Sequence, residues 1–267
     1  MGHLAAFISL YWFTYLLRAY RIRIYFAKSN LTLSLSGLCS LVVKQTFWAN
    51  LLPAKTGEVS FPLLMKRKFS VAYTDSVPAL IVLRLFDAYV LGSIAASLAL
   101  WLWSPWLVLI WLPVAFVLPF ISIKLYRFMV GILYRYRSHK YARLGWKLLR
   151  NIPQSPVTLM QMNLLSWANW AVKVVLFAGI LASMTFLSID QTLLASLIGE
   201  VSGMLPGLPA GFGNYEAAVS VGLMPYMDGA STSDMVAAAV NAHLFILFNS
   251  VFGAMVAYSM PSKPSHG

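Results

Sequence analysis

The chain has 267 residues, of which 60% are hydrophobic and only 10% are charged, and its formal net charge is +12. With a mean hydropathy of +0.73, this composition excludes an ordinary soluble globular domain and indicates a protein that resides in a lipid bilayer. The single cysteine, Cys39, excludes a disulfide within the chain and is expected to be a buried structural thiol.

The N-terminal segments are predicted to form a helix and a broken hairpin. Leu4–Leu17 runs inward, and Arg18–Lys28 lies at the cytoplasmic surface. Leu31–Leu52 is apolar but leads into a tip that contains Pro53 and Gly57, after which basic residues return. Because this segment enters and leaves on one side, a re-entrant or broken-helix hairpin is expected.

The middle of the chain is predicted to cross the membrane twice and then to lie on its surface. A helix that starts near Asp75 runs outward to Trp103, and a linker helix, 106–130, returns inward. The basic and aromatic stretch 134–150 is predicted to be an amphipathic surface helix that binds anionic lipid headgroups through Arg135–Arg150. The alternative for this stretch is a solvated loop.

The C-terminal part is predicted to contain a second hairpin of opposite orientation. A helix at Val157–Leu187 runs outward, and a hairpin comes next, between Asp190 and Met227, with its tip at Pro206–Glu216. A final helix, Met235–Met260, brings the C-terminus to the cytoplasm.

The distribution of basic residues sets this orientation. Most of the 20 lysine and arginine residues lie in some connections or at helix ends, whereas the connections near Ser104, Ser188–Gln191 and Asp228–Asp234 contain none. The asymmetry agrees with the positive-inside rule. It also explains the net charge, so no nucleic-acid partner is expected.

The two hairpin tips share a short motif. Leu52–Gly57 and Leu208–Gly213 both read Leu-Pro-Ala-x-x-Gly, and each has a glutamate close behind it. The opposite orientations predict an inverted repeat of residues 4–103 and 157–260, with a substrate site where the broken helices meet. The predicted fold is an all-α integral membrane protein, a helical bundle with two re-entrant or broken-helix hairpins, in a single transmembrane domain, 1–267.

Charged residues within the hydrophobic segments are candidates for that site, because each costs about 2.5 to 3.5 kcal/mol at bilayer depth. Arg84 and Asp87 lie three apart on one helix and are expected to pair. The candidate substrate-binding residues are Lys44, Lys55, Gly57, Glu58, Arg84, Asp87, Glu200, Gly211, Gly213 and Glu216.

Glu58 and Glu216, at the two tips, have two interpretations. At broken-helix ends, carboxylates can bind a headgroup amine or carry a proton, while Lys55, with Lys173 or Arg84, meets a lipid phosphate. Alternatively, the carboxylates cap backbone amides in their own turns. No metal-ligand or nucleophile motif occurs, so no metal, cofactor or catalytic residue is predicted.

Several stretches resemble one family over nearly the whole chain. Residues 50–58, Asn-Leu-Leu-Pro-Ala-Lys-Thr-Gly-Glu, and 84–87, Arg-Leu-Phe-Asp, resemble the signature of the lysylphosphatidylglycerol synthase transmembrane family, also called flippase-like domain proteins. So do 205–207, Leu-Pro-Gly, and 211–216, Gly-Phe-Gly-Asn-Tyr-Glu. Its best-understood member is the membrane half of the bacterial multiple peptide resistance factor, which moves aminoacylated phosphatidylglycerol between leaflets; other relatives are associated with polyprenyl-linked glycans or hopanoids.

The resemblance implies a flippase-like protein of the bacterial inner membrane that translocates a phospholipid or polyprenyl-linked lipid, with Glu58, Arg84, Asp87 and Glu216 in the transport site. No aminoacyl-transferase domain follows, so lysyl-lipid synthesis is not expected, and relatives often begin with an additional helix. The alternatives are a membrane enzyme or accessory factor in lipid-linked glycan or aminoacyl-lipid synthesis, and a non-transporting scaffold. The missing donor-binding motifs favour a transporter over an enzyme, and a homodimer is compatible with the sequence.

Overall fold

The computed structural model describes residues 2–27, 31, 33–149, 152–153, 155–185, 187–205, 208–227 and 231–259. In these ranges the chain is helical and contains no strand, which confirms the all-α prediction. The α-helices are α1 (Gly2–Tyr25), α2 (Leu35–Leu51), α3 (Ser60–Phe69), α4 (Tyr73–Trp103), α5 (Pro105–Arg135), α6 (Lys140–Leu149), α7 (Pro156–Thr185), α8 (Ile189–Ser202), α9 (Asn214–Leu223) and α10 (Thr232–Ser259). The short 3-10 helices are Pro53–Val59, Pro209–Gly211 and Met224–Tyr226.

Three of the described helices are long and apolar enough to cross a bilayer. They comprise Tyr73–Trp101 of α4, Pro156–Thr185 and Thr232–Ser259, with 29, 30 and 28 residues. A span needs about 20 residues, so each exceeds this length. A shorter apolar helix covers Pro105–Pro119 at the start of α5. These helices support the predicted membrane location.

Both predicted helix breaks are present, and each break has a local cause. Leu52 and Leu208 have extended backbones, with ψ of 140° and 163°. Each precedes a proline, whose ring disfavours a helical conformation in the preceding residue. Helix α2 therefore ends at Leu51, next to its Leu-Pro step, whereas α8 already ends at Ser202, before Leu208. In both places a short 3-10 helix begins at the proline. The re-entrant path and the inverted relation of the hairpins stay predictions.

The first helix differs from the predicted one. Helix α1 continues past the hydrophobic run to Tyr25 and carries Arg18, Arg21 and Arg23. Arg21 is buried, with 3% of its surface exposed, so the prediction of a basic surface segment is wrong for this residue. A buried guanidinium requires a partner, and the carboxylate of Asp87 in α4 supplies it.

The predicted surface helix is shorter than the sequence indicated. Arg135 ends α5, and α6 begins only at Lys140, so the amphipathic helix has ten residues. Helix α6 packs back on α5, with Gly145 against the side chain of Leu133. This contact explains the break in the helix, because the chain must reverse between the two. Arg150 lies outside the described residues.

The chain forms two compact units. The first unit contains residues 1–19, 36–60 and 168–267, and the second contains 20–35 and 61–167. Helices α1, α2, α3 and α7 contribute residues to both units, because the boundaries fall within them.

In the first unit, α9 packs closely against α8. A Cβ atom on Gly222 would lie 2.4 Å from the Cα atom of Ala195, and one on Gly199 would lie 2.7 Å from a methyl group of Val219. Small residues at these positions let the two helices approach, as is common in membrane proteins. This packing fixes the position of the second hairpin tip.

Candidate functional site

The two hairpin tips contact each other in the first unit. We define the first tip as residues 53–59 and the second tip as residues 208–213. The 3-10 helix Pro53–Val59 lies against the 3-10 helix Pro209–Gly211, so the two Leu-Pro-Ala-x-x-Gly motifs come together. Helix breaks leave backbone amides and carbonyls outside the helical hydrogen bonds, and these groups give the contact polar character.

The first tip packs tightly on the end of α2. A Cβ atom on Gly57 would lie 2.0 Å from the carbonyl oxygen of Trp48 and 2.6 Å from the Cα atom of Ala49. No side chain fits in this space, so glycine is required. The close approach holds the adjacent Glu58 beside α2.

Glu58 takes part in a polar network with α1 and α2. Gln45 donates from Nε2 to the Glu58 carboxylate at 3.1 Å. The oxygen of the Gln45 amide accepts from the Arg18 guanidinium at 3.4 Å, and Arg18 also donates to the Thr46 hydroxyl at 2.9 Å. Gln45 is buried and thus links a carboxylate to a guanidinium through one neutral amide.

Of the two lysines predicted near the first tip, Lys44 has a described side chain and Lys55 does not. Lys44 places its ammonium 4.2 Å from the ring centroid of Tyr258, a cation–π contact. The indole N–H of Trp48 donates to the hydroxyl of the same tyrosine at 2.9 Å. The side chain of Lys55 lies outside the described part of the chain.

The second tip depends on left-handed backbone conformations. Ala210, Gly211 and Gly213 have φ angles of 60°, 83° and 81°. The two glycines have open space around their Cα atoms, so they are required for conformation and not for close approach. Ala210 has no such freedom, and a left-handed conformation costs it about 1 to 2 kcal/mol. Its carbonyl oxygen lies 3.0 Å from Nε2 of His243.

Glu216 joins this tip to α10. One carboxylate oxygen accepts from the backbone N–H of Gly213 at 2.8 Å, and the other lies 2.6 Å from Nδ1 of His243. Glu216 and His243 are 8% and 3% exposed. Glu216 therefore caps its own turn, as one interpretation predicted, and also has a partner on another helix. The rings of Phe212 and Tyr215 flank the imidazole at 5.0 Å and 4.8 Å.

Glu200 and Lys173 form an ion pair between α8 and α7. The ammonium lies 2.7 Å from the Glu200 carboxylate, and it also lies 4.5 Å from the ring of Trp170. The sequence pattern had indicated a substrate site for Glu200 and a lipid phosphate beside Lys173. In the structure these two charges neutralise each other.

In the second unit, the predicted pair of Arg84 and Asp87 is confirmed, with 3.1 Å between the charged atoms. A second arginine lies closer. Arg21 donates to the other Asp87 oxygen at 2.7 Å, and the same nitrogen lies 2.7 Å from the Ser166 hydroxyl. Asp87 thus accepts from two guanidinium groups, and the three side chains carry a net charge of one positive unit.

Arg21 and His243 contact candidate site residues, and the sequence motifs did not single them out. A signal existed for both, because an ionisable residue in an apolar helix is rare and usually has a partner or a function. Arg21 falls in a stretch whose basic residues indicated a surface segment, and His243 belongs to no metal or nucleophile motif.

No curated protein and no solved structure matches this chain. A family model described as the lysylphosphatidylglycerol synthase TM region matches residues 1–253, which include both tips and every candidate residue. The match agrees with the motifs at residues 50–58, 84–87 and 211–216. The chain therefore belongs to the lysylphosphatidylglycerol synthase transmembrane family.

Proposed function

We propose that this protein is a flippase-like transporter of the bacterial inner membrane that moves a phospholipid or polyprenyl-linked lipid between leaflets. Membership in the family supports a membrane protein related to lipid modification or translocation. The observation that carries the more specific proposal is the contact between the two hairpin tips, together with the glutamate in or next to each tip, Glu58 and Glu216, which has polar partners.

The difficulty in moving a lipid across a bilayer is its headgroup. Hydrocarbon excludes charged and hydrogen-bonding groups, whereas acyl or prenyl chains can stay in the lipid throughout. In our proposal, polar groups at the tips replace the water that the headgroup loses. In the first unit the proposed substrate-binding residues are Lys44, Lys55, Gly57, Glu58, Glu200, Gly211, Gly213 and Glu216, and in the second they are Arg84 and Asp87.

The proposal includes an orientation. The first hairpin opens to the cytoplasm and the second to the opposite side, as in an inverted repeat, and the C-terminus is cytoplasmic. The distribution of basic residues supports this arrangement through the positive-inside rule. Opposed hairpins give the two leaflets equivalent access to one polar site.

Lipid flux in proteoliposomes tests the mechanism. The protein is reconstituted with a headgroup-labelled lipid, and the label in the outer leaflet is quenched over time. We expect Glu58→Gln combined with Glu216→Gln to lower the flux at least about tenfold, which corresponds to about 1.4 kcal/mol in the barrier. The matched control is Asp190→Asn combined with Asp234→Asn, which removes two exposed carboxylates from the same unit and leaves the flux unchanged.

Two results would contradict the proposal. Flux that is equal in the Glu58/Glu216 double variant and the wild type would remove the tips from the mechanism. A chemically modified lipid that forms only when a group donor is supplied, without flux, would favour an enzyme.

We also propose that α6 binds anionic lipid headgroups, as part of the basic stretch Arg135–Arg150. Three basic side chains and two apolar ones are exposed on α6, and the sequence from 88 to 189 contains no acidic residue. Basic and apolar side chains on one short helix suit the boundary of an anionic membrane. The residues concerned are Lys140, Arg143, Lys147, Tyr141 and Leu144.

A fluorophore on Tyr141→Cys, in a Cys39→Ser background, measures this contact. We expect a larger blue shift of its emission in phosphatidylglycerol vesicles than in phosphatidylcholine vesicles, because the anionic surface attracts the basic residues. Changing the three basic residues of α6 to glutamine abolishes the difference. An equal emission in both lipids for the parent protein would contradict a headgroup interaction.

A further inference from the structure

The two hydrogen bonds of the His243 ring determine how many protons His243 and Glu216 carry together. Nε2 lies 3.0 Å from the carbonyl oxygen of Ala210, which can only accept, so Nε2 carries a hydrogen. Nδ1 lies 2.6 Å from a carboxylate oxygen of Glu216, and this short contact needs one more proton between the two atoms. The proton belongs to an imidazolium beside a carboxylate or to a carboxylic acid beside an imidazole. In both cases the pair is neutral.

Without that proton, one of the two contacts cannot form. If the remaining hydrogen stays on Nε2, the lone pair of Nδ1 faces the Glu216 carboxylate. If it moves to Nδ1, the lone pair of Nε2 faces the Ala210 carbonyl. The pair also acquires a net negative charge at a place where both side chains are less than a tenth exposed, which is costly.

The contact with Ala210 matters for the shape of the second tip. Ala210 has an unfavourable left-handed conformation, which interactions with its surroundings must stabilise. One such interaction is the hydrogen bond between its carbonyl oxygen and His243 of α10. The other end of the turn also contacts the pair, because the backbone N–H of Gly213 donates to the Glu216 carboxylate. The Ala210 end of the turn therefore depends on the proton, whereas Gly213 can donate to the Glu216 carboxylate with or without it.

Among the described residues, the groups that interact with this pair bring no net positive charge to replace the lost proton. Tyr215 of α9 contacts the imidazole and interacts electrostatically with Glu200 as well as Glu216. Glu200 is paired with Lys173 at 2.7 Å, so this second pair is neutral as a unit. From α1, Tyr11 reaches α10 through the ring of Phe245 and also interacts with Glu200.

We infer that Glu216 and His243 form a proton-binding site. When the proton is bound, the pair holds the second tip against α10, and when the proton is lost, the second tip separates from α10. Proton binding at low pH forms the contact, and proton loss at high pH removes it. The inference rests on the proposed function in one respect, namely that tip release alters lipid flux. Proton binding then selects between two conformations of a broken helix at the site.

The position of the tip is measured with an environment-sensitive fluorophore on Leu208→Cys, in a Cys39→Ser background and in liposomes. Leu208 is 65% exposed and lies two residues before Ala210, so the label reports on the tip without replacing a residue of the pair. Emission is recorded from about pH 5 to about pH 8, the range in which histidine sites usually titrate. We expect a sigmoidal shift with the slope of one proton.

Two variants are expected to hold the tip in opposite states. In Glu216→Gln, the amide donates to Nδ1 and its oxygen accepts from Gly213, so the emission stays at the low-pH value throughout. In His243→Phe, the ring volume is kept but neither contact can form, so the emission stays at the high-pH value. His139→Gln removes an exposed histidine from a turn in the second unit and leaves the wild-type shift unchanged.

The inference is overturned if Glu216→Gln keeps the wild-type shift, or if both variants give the same emission. This readout does not require lipid transport. A normal emission shift without flux supports the proton site and removes the proposed function, whereas flux with a flat emission removes the proton site and leaves the function standing. When both hold, flux depends on pH in the wild type and loses that dependence in His243→Phe.

Discussion

The two hairpin tips have the same Leu-Pro-Ala-x-x-Gly sequence but use its glycine for different physical reasons. Gly57 lies where a Cβ atom would collide with the backbone of Trp48, and its φ is not in the left-handed region. Gly213 has open space around it and a φ of 81°. The motif therefore encodes an extended leucine followed by a 3-10 helix that begins at the proline, while the surroundings determine the backbone conformation of the later residues.

The glutamates located just after the motifs differ in the same way. Glu58 is half-buried and accepts from the neutral amide of Gln45. Glu216 is buried between a backbone amide and the ionisable side chain of His243. An ionisable partner is present at the second tip, so the response to a proton that we infer belongs to this tip.

Removal of each carboxylate has the largest expected effect and separates the tips most clearly. Glu216→Leu keeps a similar volume but leaves His243 and a backbone N–H without their acceptor, which costs about 3 to 5 kcal/mol for a broken buried pair. Glu58→Leu removes a charge-assisted hydrogen bond and costs about 1.5 to 3 kcal/mol. The free energy of unfolding, measured by titration with SDS in mixed micelles, checks both values. Equal losses would show that the two carboxylates have equivalent surroundings.

Much of the fold is determined by local sequence. The all-α class, the extended leucine before Pro53 and Pro209 and the pairing of Arg84 with Asp87 depend on residues within a few positions of one another. Such interactions are fixed by helix geometry and by proline chemistry. This is why the sequence predicted them and the structure confirmed them.

The partners across helices could not be predicted from the sequence. Arg21 reaches Asp87 from another helix, and His243 reaches Glu216 in the same way. Lys44 lies over the ring of Tyr258, a contact between α2 and α10 that the sequence analysis did not identify. Which helix faces which is set by packing among many apolar side chains, and a single sequence does not specify these contacts.

The glycines give the smallest expected effect and test the reason for each of them. Gly57→Ala forces the backbone of α2 to move and costs about 1 to 3 kcal/mol, and Gly57→Leu costs more because the collision grows with the side chain. At Gly213 no heavy atom lies within 4 Å of an added Cβ. Alanine and leucine there lower the free energy of unfolding only through the left-handed conformation, by about 1 to 2 kcal/mol each. Unfolding in SDS should therefore depend on side-chain size at residue 57 and not at residue 213. A size dependence at both positions would mean that the second tip is packed as closely as the first.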